Sequence, residues 1–364
     1  MKHPEPKLFP AILVLFLCAL GACGTKPPAL ALTRIENERM DVVLFQQQDV
    51  TSDGAILAEV SPLAPFAFEP LWNPAHRWLA FTRIDLVAGG QRVLALYDRE
   101  GKKARDVAAM TPAHWSGYGF TPSWHPSGQA IAFKVRSERD SGVYAAILAG
   151  ERIVQILPDP NFQIRELCWG EAGLFFTVEI PDEGWDLRWV KLPPPSDLAA
   201  PDPLRLAGSS VSLGQGLRPV AFGGALYYVR PREKGLAFDL VRDPLKGAGG
   251  AGLEVLATNV GPYFDISSDG VIAYQSDSSG GTRPVEIALL RPGKKEPEAA
   301  AVSAFRFCFS PDGKKLAGLW LVAGTPRYFL YDIKSRRAVE IGALRGDLSA
   351  NALAQLMDRP LLDW

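Results

Sequence analysis

The sequence predicts an all-β chain of repeated four-stranded units, on three observations: a recurring turn phrase, a steady spacing, and short alternating runs between copies. The phrase Pro122-Ser123-Trp124-His125-Pro126-Ser127-Gly128, followed by Ala132-Phe133, returns as Leu71-Trp72-Asn73-Pro74 with Leu79-Ala80-Phe81. It returns again as Phe309-Ser310-Pro311-Asp312-Gly313 with Leu316-Ala317. Weaker copies are Cys168-Trp169-Gly170 running to Phe175-Phe176, Ala221-Phe222-Gly223-Gly224 running to Tyr227-Tyr228, and Ile266-Ser267-Ser268-Asp269-Gly270 running to Ala273-Tyr274. With Trp72, Trp124, Trp169, Ala221, Ile266, Phe309 and Trp364 as anchors, the steps are 52, 45, 52, 45, 43 and 55 residues, each the length of one blade. Stacked units of this length predict a β-propeller. A β-sandwich also spaces its strands regularly, but it does not repeat one turn phrase.

In chain order, Lys2 and Lys7 precede an apolar run over residues 8–20, and small residues follow, which is the pattern of an export signal. Thirteen apolar residues are short for a bilayer span. Leu20-Gly21-Ala22-Cys23 resembles a bacterial lipobox, so residues 1–22 are expected to be removed and Cys23 to carry lipid. Gly24 resembles the class sorted to the outer membrane of a double-membrane bacterium, and residues 23–40, with Pro27 and Pro28, read as a tether.

The propeller is then expected over residues 41–364. Residues 41–45 and 55–60, separated by Thr51-Ser52-Asp53-Gly54, are two strands of an incomplete blade. Each anchor phrase is a hairpin: the anchor strand, a tight turn in which proline sets φ and glycine takes φ > 0, and the antiparallel partner. Runs such as Arg92-Val93-Leu94-Ala95-Leu96-Tyr97-Asp98 and Tyr328-Phe329-Leu330-Tyr331-Asp332 supply the outer strands. Residues 359–364 read as an innermost strand that completes the opening half-blade and closes the ring, giving seven blades. A ring of six remains open if the ends pack otherwise, with residues 349–357 as a capping helix.

Composition narrows the function. A net charge of −1 supplies no basic field for nucleic acid. Cys168 and Cys308 precede anchors of blades three apart, too far for a disulfide, and read as apolar thiols. His76 and His125 lie at anchor turns, and no histidine or cysteine spacing marks a metal site or a cofactor. No nucleophile elbow is present, and the plentiful carboxylates belong to turns. The segment 111–121, which carries His114, Trp115 and Tyr118, has the aromatic, glycine-rich composition of a recognition loop. The proline-rich stretch 192–203 reads as a stiff connection, and 247–252 as a hairpin tip.

The phrases Trp124-His125-Pro126-Ser127-Gly128 with Ala132-Phe133, and Phe309-Ser310-Pro311-Asp312-Gly313 with Leu316-Ala317, resemble the repeat of TolB-like propellers over residues 41–364. The same repeat builds the propellers of prolyl oligopeptidases. The sequence shows neither TolB's amino-terminal α/β domain nor a following hydrolase domain, so the resemblance implies the fold rather than the Tol-Pal role. The expected function is a lipid-anchored, non-catalytic propeller at the periplasmic side of the outer membrane, binding a protein or another envelope component. The alternative is a propeller enzyme, of lyase or glycoside hydrolase type, with its site in the central channel.

Overall fold

The computed structural model of the chain describes residues 29–36, 39–46, 55–59, 66–85, 91–110, 122–135, 141–161, 163–198, 202–232, 237–245, 252–277, 284–322, 325–343 and 362–363. They form seven four-stranded antiparallel blades in a ring. Innermost strand first, blade one is β4 (Phe66–Trp72), β5 (Trp78–Asp85), β6 (Gln91–Asp98) and β7 (Lys103–Met110). Blade two is β8 (Ser123–Trp124), β9 (Ala130–Val135), β10 (Gly142–Ile147) and β11 (Arg152–Pro158). Blade three is β12 (Ile164–Gly170), β13 (Gly173–Ile180), β14 (Gly184–Val190) and β15 (Val211–Gln215). Blade four is β16 (Leu217–Phe222), β17 (Ala225–Pro231), β18 (Phe238–Asp243) and β19 (Glu254–Val260). Blade five is β20 (Phe264–Ile266), β21 (Ile272–Gln275), β22 (Val285–Leu290) and β23 (Glu298–Ala304). Blade six is β24 (Arg306–Phe309), β25 (Lys315–Val322), β26 (Thr325–Asp332) and β27 (Arg337–Ala343).

Blade seven joins the two ends of the sequence: β28 (Leu362–Asp363) is innermost, followed by β1 (Leu30–Glu36), β2 (Arg39–Gln46) and β3 (Ala55–Glu59). The expected closure is present, but the tether expected over residues 23–40 is not one up to its end. Residues 30–36 are the second strand of the blade, and the propeller begins at about Leu30 rather than 41. The reason is burial: Ala29, Leu30, Ala31 and Leu32 expose 5% or less of their surface. Residues 1–28 and 344–361, with the expected signal, Cys23 and capping helix, lie outside the described residues.

Anchor side chains fill the seams between blades. Trp72, Trp124 and Trp169 are all buried, and the Trp124 ring N–H donates to the Leu71 carbonyl of the previous blade at 3.1 Å. At four of the seams the residue before the anchor makes a second latch. Asp363 Oδ2 accepts from Trp72 N, Ser123 Oγ from Trp169 N, Cys168 Sγ from Ala221 N, and Asp265 Oδ2 from Phe309 N, at 2.6, 2.9, 3.2 and 2.7 Å. Cys168 and Cys308 carry no disulfide.

The strong copies turn through glycine with positive φ, 69° at Gly128 and 68° at Gly313, while His76 takes that place in blade one with φ 52°. The third and fourth copies lack the Pro-x-Gly turn because their strands meet sooner. Gly170 pairs Gly173, and Phe222 pairs Ala225 across Gly223-Gly224, both with φ > 0 as in a two-residue hairpin. The proline-rich stretch connects β14 to β15 and holds helix α1 (Pro203–Gly208), whose N-cap Asp202 accepts from Leu204 N and Arg205 N.

Candidate functional site

Each innermost strand starts at the end of the ring where one blade connects to the next, and runs toward the end bearing the anchor turns. In the five blades where it is described, the residue three before the anchor therefore lies near the connection end, close to the axis. Those residues are Glu69, Glu166, Arg218, Tyr263 and Arg306 in blades one, three, four, five and six.

Three of them sit in equivalent β-bulges. Phe68 and Leu71 pair Thr82 and Ala80, Ile164 and Leu167 pair Val178 and Phe176, and Leu217 and Val220 pair Val229 and Tyr227. In each case the inner strand has one extra residue, which bends the strand and re-aims the side chain beside it. Glu69 and Arg218 hold left-handed backbone, with φ 59° and 54°. That conformation is costly for a residue with a Cβ, and it is maintained here by surrounding contacts.

Some of those contacts lie within a blade and others link neighbouring blades. Glu69 is buried and accepts from the Thr82 hydroxyl at 2.7 Å. Glu166 Oε2 accepts from Arg218 N at 2.5 Å, and its other oxygen lies 3.6 Å from the Arg218 guanidinium. Lys134, on β9, donates to the Ile164 and Arg165 carbonyls at 3.3 and 2.7 Å, satisfying oxygens at the β12 bulge. Burial, and then Arg165, pull its ammonium down to about 8, opposed by Asp159, Glu166 and Glu69. Tyr263 stands between two guanidinium groups, with the Arg218 carbon 4.0 Å and the Arg306 carbon 3.4 Å from its ring centre. The site thus divides into a Glu-Lys-Glu arc on blades one to three and an Arg-Tyr-Arg arc on blades four to six.

Near the axis, one step along the strands, lie Asp265, Cys308 and Asp363. Burial pushes the Asp265 carboxyl up to about 6 against hydrogen bonds from Phe309 N and Ile266 N, which favour its charge. Burial, then Asp363 and Asp265, push the Cys308 thiol well above its usual range. Cys168 is raised by burial to about 11, so neither thiol is a thiolate at neutral pH. Among the described residues no group of His, Cys, Asp and Glu has the makings of a metal centre.

A second concavity, a cleft of about 220 Å³ between blades two and three, is lined by Asp159, Gln163, Phe176, Arg188, Ala207 and Ser210. Two of its polar side chains are engaged: Asp159 caps Gln163 N and Ile164 N, and Arg188 donates to the Ser210 carbonyl. His76 and His125 are turn residues, each with its pKa lowered first by burial. His125 bonds Ser127 and packs edge-on to Trp169, while His76 lies against Trp72.

His114, Trp115 and Tyr118 lie outside the described residues. Their segment leaves β7 at Met110 and enters β8 at Ser123, and both of these strand ends are at the connection end. Sequence reasoning missed the axial residues. The available signal was a polar or aromatic residue three before each anchor, seen in Glu69-Pro70-Leu71-Trp72, Glu166-Leu167-Cys168-Trp169 and Arg218-Pro219-Val220-Ala221.

No protein-family profile matches the sequence, and no curated protein does. Solved structures match across the ring. TolB from Acinetobacter baumannii is 12% identical, with TM-score 0.51, over 91% of this chain and 68% of that one. The propeller domain of the trilobed protease from Pyrococcus furiosus, described as an open velcro, is 13% identical with TM-score 0.59, over 88% and 97%. An oligogalacturonate lyase in complex with manganese is 12% identical with TM-score 0.53, over 90% and 88%. At such identity the likeness is one of fold. No helix among the described residues is long and apolar enough to cross a membrane.

Proposed function

We propose that the protein is a lipid-anchored propeller of the bacterial cell envelope that binds a protein or another envelope component, without catalysis, at the connection end of the ring. The observation that carries this reading is the ring of Glu69, Glu166, Arg218, Tyr263 and Arg306 at that end, to which the strands flanking residues 111–121 also lead. These groups mostly engage one another across blades, as a rigid recognition surface requires. Anchoring follows from the apolar run at residues 8–20 and the lipobox-like Leu20-Gly21-Ala22-Cys23. Cys23→Ser is expected to release or mis-sort the protein, read by intact mass of the membrane form; an unmodified Cys23 in the wild type removes the anchor from the proposal.

Binding is tested by capture from solubilised envelope, with the partner identified by mass spectrometry. Replacing Trp115 and Tyr118 together with Ala is expected to weaken capture at least tenfold, about 1.4 kcal/mol, with the melting curve unchanged. Unaltered capture moves the contact away from residues 111–121.

A second reading, a lyase or glycoside hydrolase, draws on Lys134. An amine brought down to about 8 beside Glu69 and Glu166 has the basicity of a general base. Turnover of an oligouronate or glycan by purified protein, lost in Lys134→Met, would establish that reading over the first.

A further inference from the structure

We infer that the anchor-turn end of blades five, six and one is a basic face that lies against a bilayer surface carrying anionic lipid, with the connection end turned away from the membrane. The inference rests on the lipid-anchor reading above and adds the orientation in which the ring is held.

The basic residues come from turns. The step Gly-Lys-Lys occurs three times, at 101–103, 293–295 and 313–315, and Lys334-Ser335-Arg336-Arg337 is a fourth basic turn. These turns join β6 to β7, β22 to β23, β24 to β25 and β26 to β27, all at the end that bears the anchor hairpins. Turns 267–270, 291–298, 310–315 and 332–337 of blades five and six hold eight Lys and Arg against five Asp and Glu. Turns 73–78 and 98–105 of blade one hold five against two. The short turns 125–129, 148–152, 170–173 and 223–224 of blades two to four hold one against two. A chain of net charge −1 thus gathers positive charge over one arc of one end.

Lys102, Lys103, Lys294, Lys295 and Lys334 are exposed, and Lys314 and Arg336 keep 76% and 59% of their side chains accessible. Part of the charge is met locally, by Asp312 on Lys314 and by Glu298 on Arg291 and Arg336. Exposed charges are screened within about 10 Å in ~0.1 M salt, so only groups brought to the lipid surface itself are attracted to it. Turn tips at one end of a disc meet that condition together.

Chain geometry brings this end to the membrane. Ala31 pairs Asp363 near the close of an innermost strand, so β1 starts at the anchor-turn end and Ala29 lies there. Cys23 is six residues before Ala29, and that length of extended chain spans at most about 22 Å. An acyl chain on Cys23 therefore holds this end close to the bilayer. β1 belongs to blade seven, which stands between blades six and one, so the attachment falls within the basic arc. One anchor leaves a disc free to swing, and basic turns on both sides of the attachment fix its tilt. The connection end then opens away from the lipid by roughly 25 Å, the rise of an eight-residue strand such as β25. An acidic protein would also suit such a face; the nearness of the attachment point favours lipid.

The test places a fluorophore at Ser335→Cys, in the basic turn of blade six, or at Glu183→Cys, at the connection end of blade three, in the full protein purified from cells. The protein is added to phosphatidylcholine vesicles with quencher on their headgroups, with or without about 30% phosphatidylglycerol. Phosphatidylglycerol is expected to increase quenching at position 335, about 0.5 M salt to abolish the increase, and neither to affect position 183. Lys294→Glu, Lys295→Glu and Lys314→Glu together are expected to return the quenching to its level on neutral vesicles, with the melting curve unchanged. Equal quenching at the two positions, no response to phosphatidylglycerol, or undiminished quenching in the triple variant overturns the inference. If the triple variant unfolds, Lys102→Glu with Lys103→Glu decides in its place. Polyglutamate that removes the quenching at a lower charge concentration than the lipid supplies gives the face to an acidic protein and overturns the choice of lipid. Intact mass of the same samples separates the two readings. Acylated Cys23 with no quenching at position 335 leaves the anchor standing and removes this face. Unmodified Cys23 with position 335 quenched on anionic vesicles does the reverse.

Discussion

Asp265 shows how one residue can serve the fold at a cost. Its carboxylate accepts from Ile266 N and Phe309 N at 2.8 and 2.7 Å, tying blade five to blade six, yet burial raises its pKa to about 6. Because the folded pKa lies above the unfolded one, this group's stabilisation is full below about pH 4 and is lost as pH rises through about 6, with an upper bound of roughly 3 kcal/mol. Asp265→Asn is expected to flatten the stability profile between those pH values, read by urea melts at pH 4 and pH 7. An unchanged slope would mean that other groups set it. Trp124 is the opposite case, a large ring buried among Leu94, Leu96, Ile131 and Phe133 with its N–H satisfied across the seam. Trp124→Ala is expected to cost roughly 3–5 kcal/mol, and a loss below about 1 kcal/mol in the same melts would contradict its role as a seam residue.

The element that recurs is the anchor hairpin, and its glycine answers two demands in some blades and one in others. At Gly128 and Gly313 the φ is positive, and a Cβ would also come within 2.8 Å of Asn73 Nδ2 or 2.9 Å of Asp269 Oδ1 on the preceding blade's turn. At Gly223 the φ is positive but nothing lies within 4 Å. Gly223→Ala is therefore expected to cost about 1–2 kcal/mol from backbone strain alone. Gly128→Ala and Gly313→Ala should cost about 1 kcal/mol more, because the neighbouring turn must move. Equal losses at the three sites would show that the turns do not press on one another.

At the scale of the whole molecule, the two-residue strand β28 joins the ends of the sequence into one blade. Ala31 pairs Asp363, Leu32 pairs Leu362, Asp363 accepts from Trp72 N, and the Tyr328 hydroxyl donates to the Thr33 carbonyl at 2.6 Å. Leu362 is buried with Leu30, Leu32, Phe305 and Leu330, where blades six and seven meet. Deleting residues 361–364 removes the β28 pairs, the Leu362 side chain and the Asp363 latch together. The expected loss is roughly 3–6 kcal/mol, the cost of a core leucine and its associated hydrogen bonds. Calorimetry should then resolve an early transition of blade seven, and a single unshifted transition would show that the closure contributes little.

Local chemistry was legible in the amino-acid sequence. The turn phrase, its spacing and the apolar pairs after it are short-range features, so the blades, their number and the buried anchors at 72, 124 and 169 followed from them. Strand β1 escaped because its apolar residues follow Pro27-Pro28 and an export-like run, and only their pairing with residues 39–45 and 362–363 identifies them as sheet. The axial cluster escaped for a related reason. Glu69 and Arg306 are 237 positions apart in the sequence, and each alone reads as a polar strand residue. Closure of the ring brings the starts of the innermost strands to one axis, with bulges at Glu69, Glu166 and Arg218, so tertiary structure alone decided where the charged site lies.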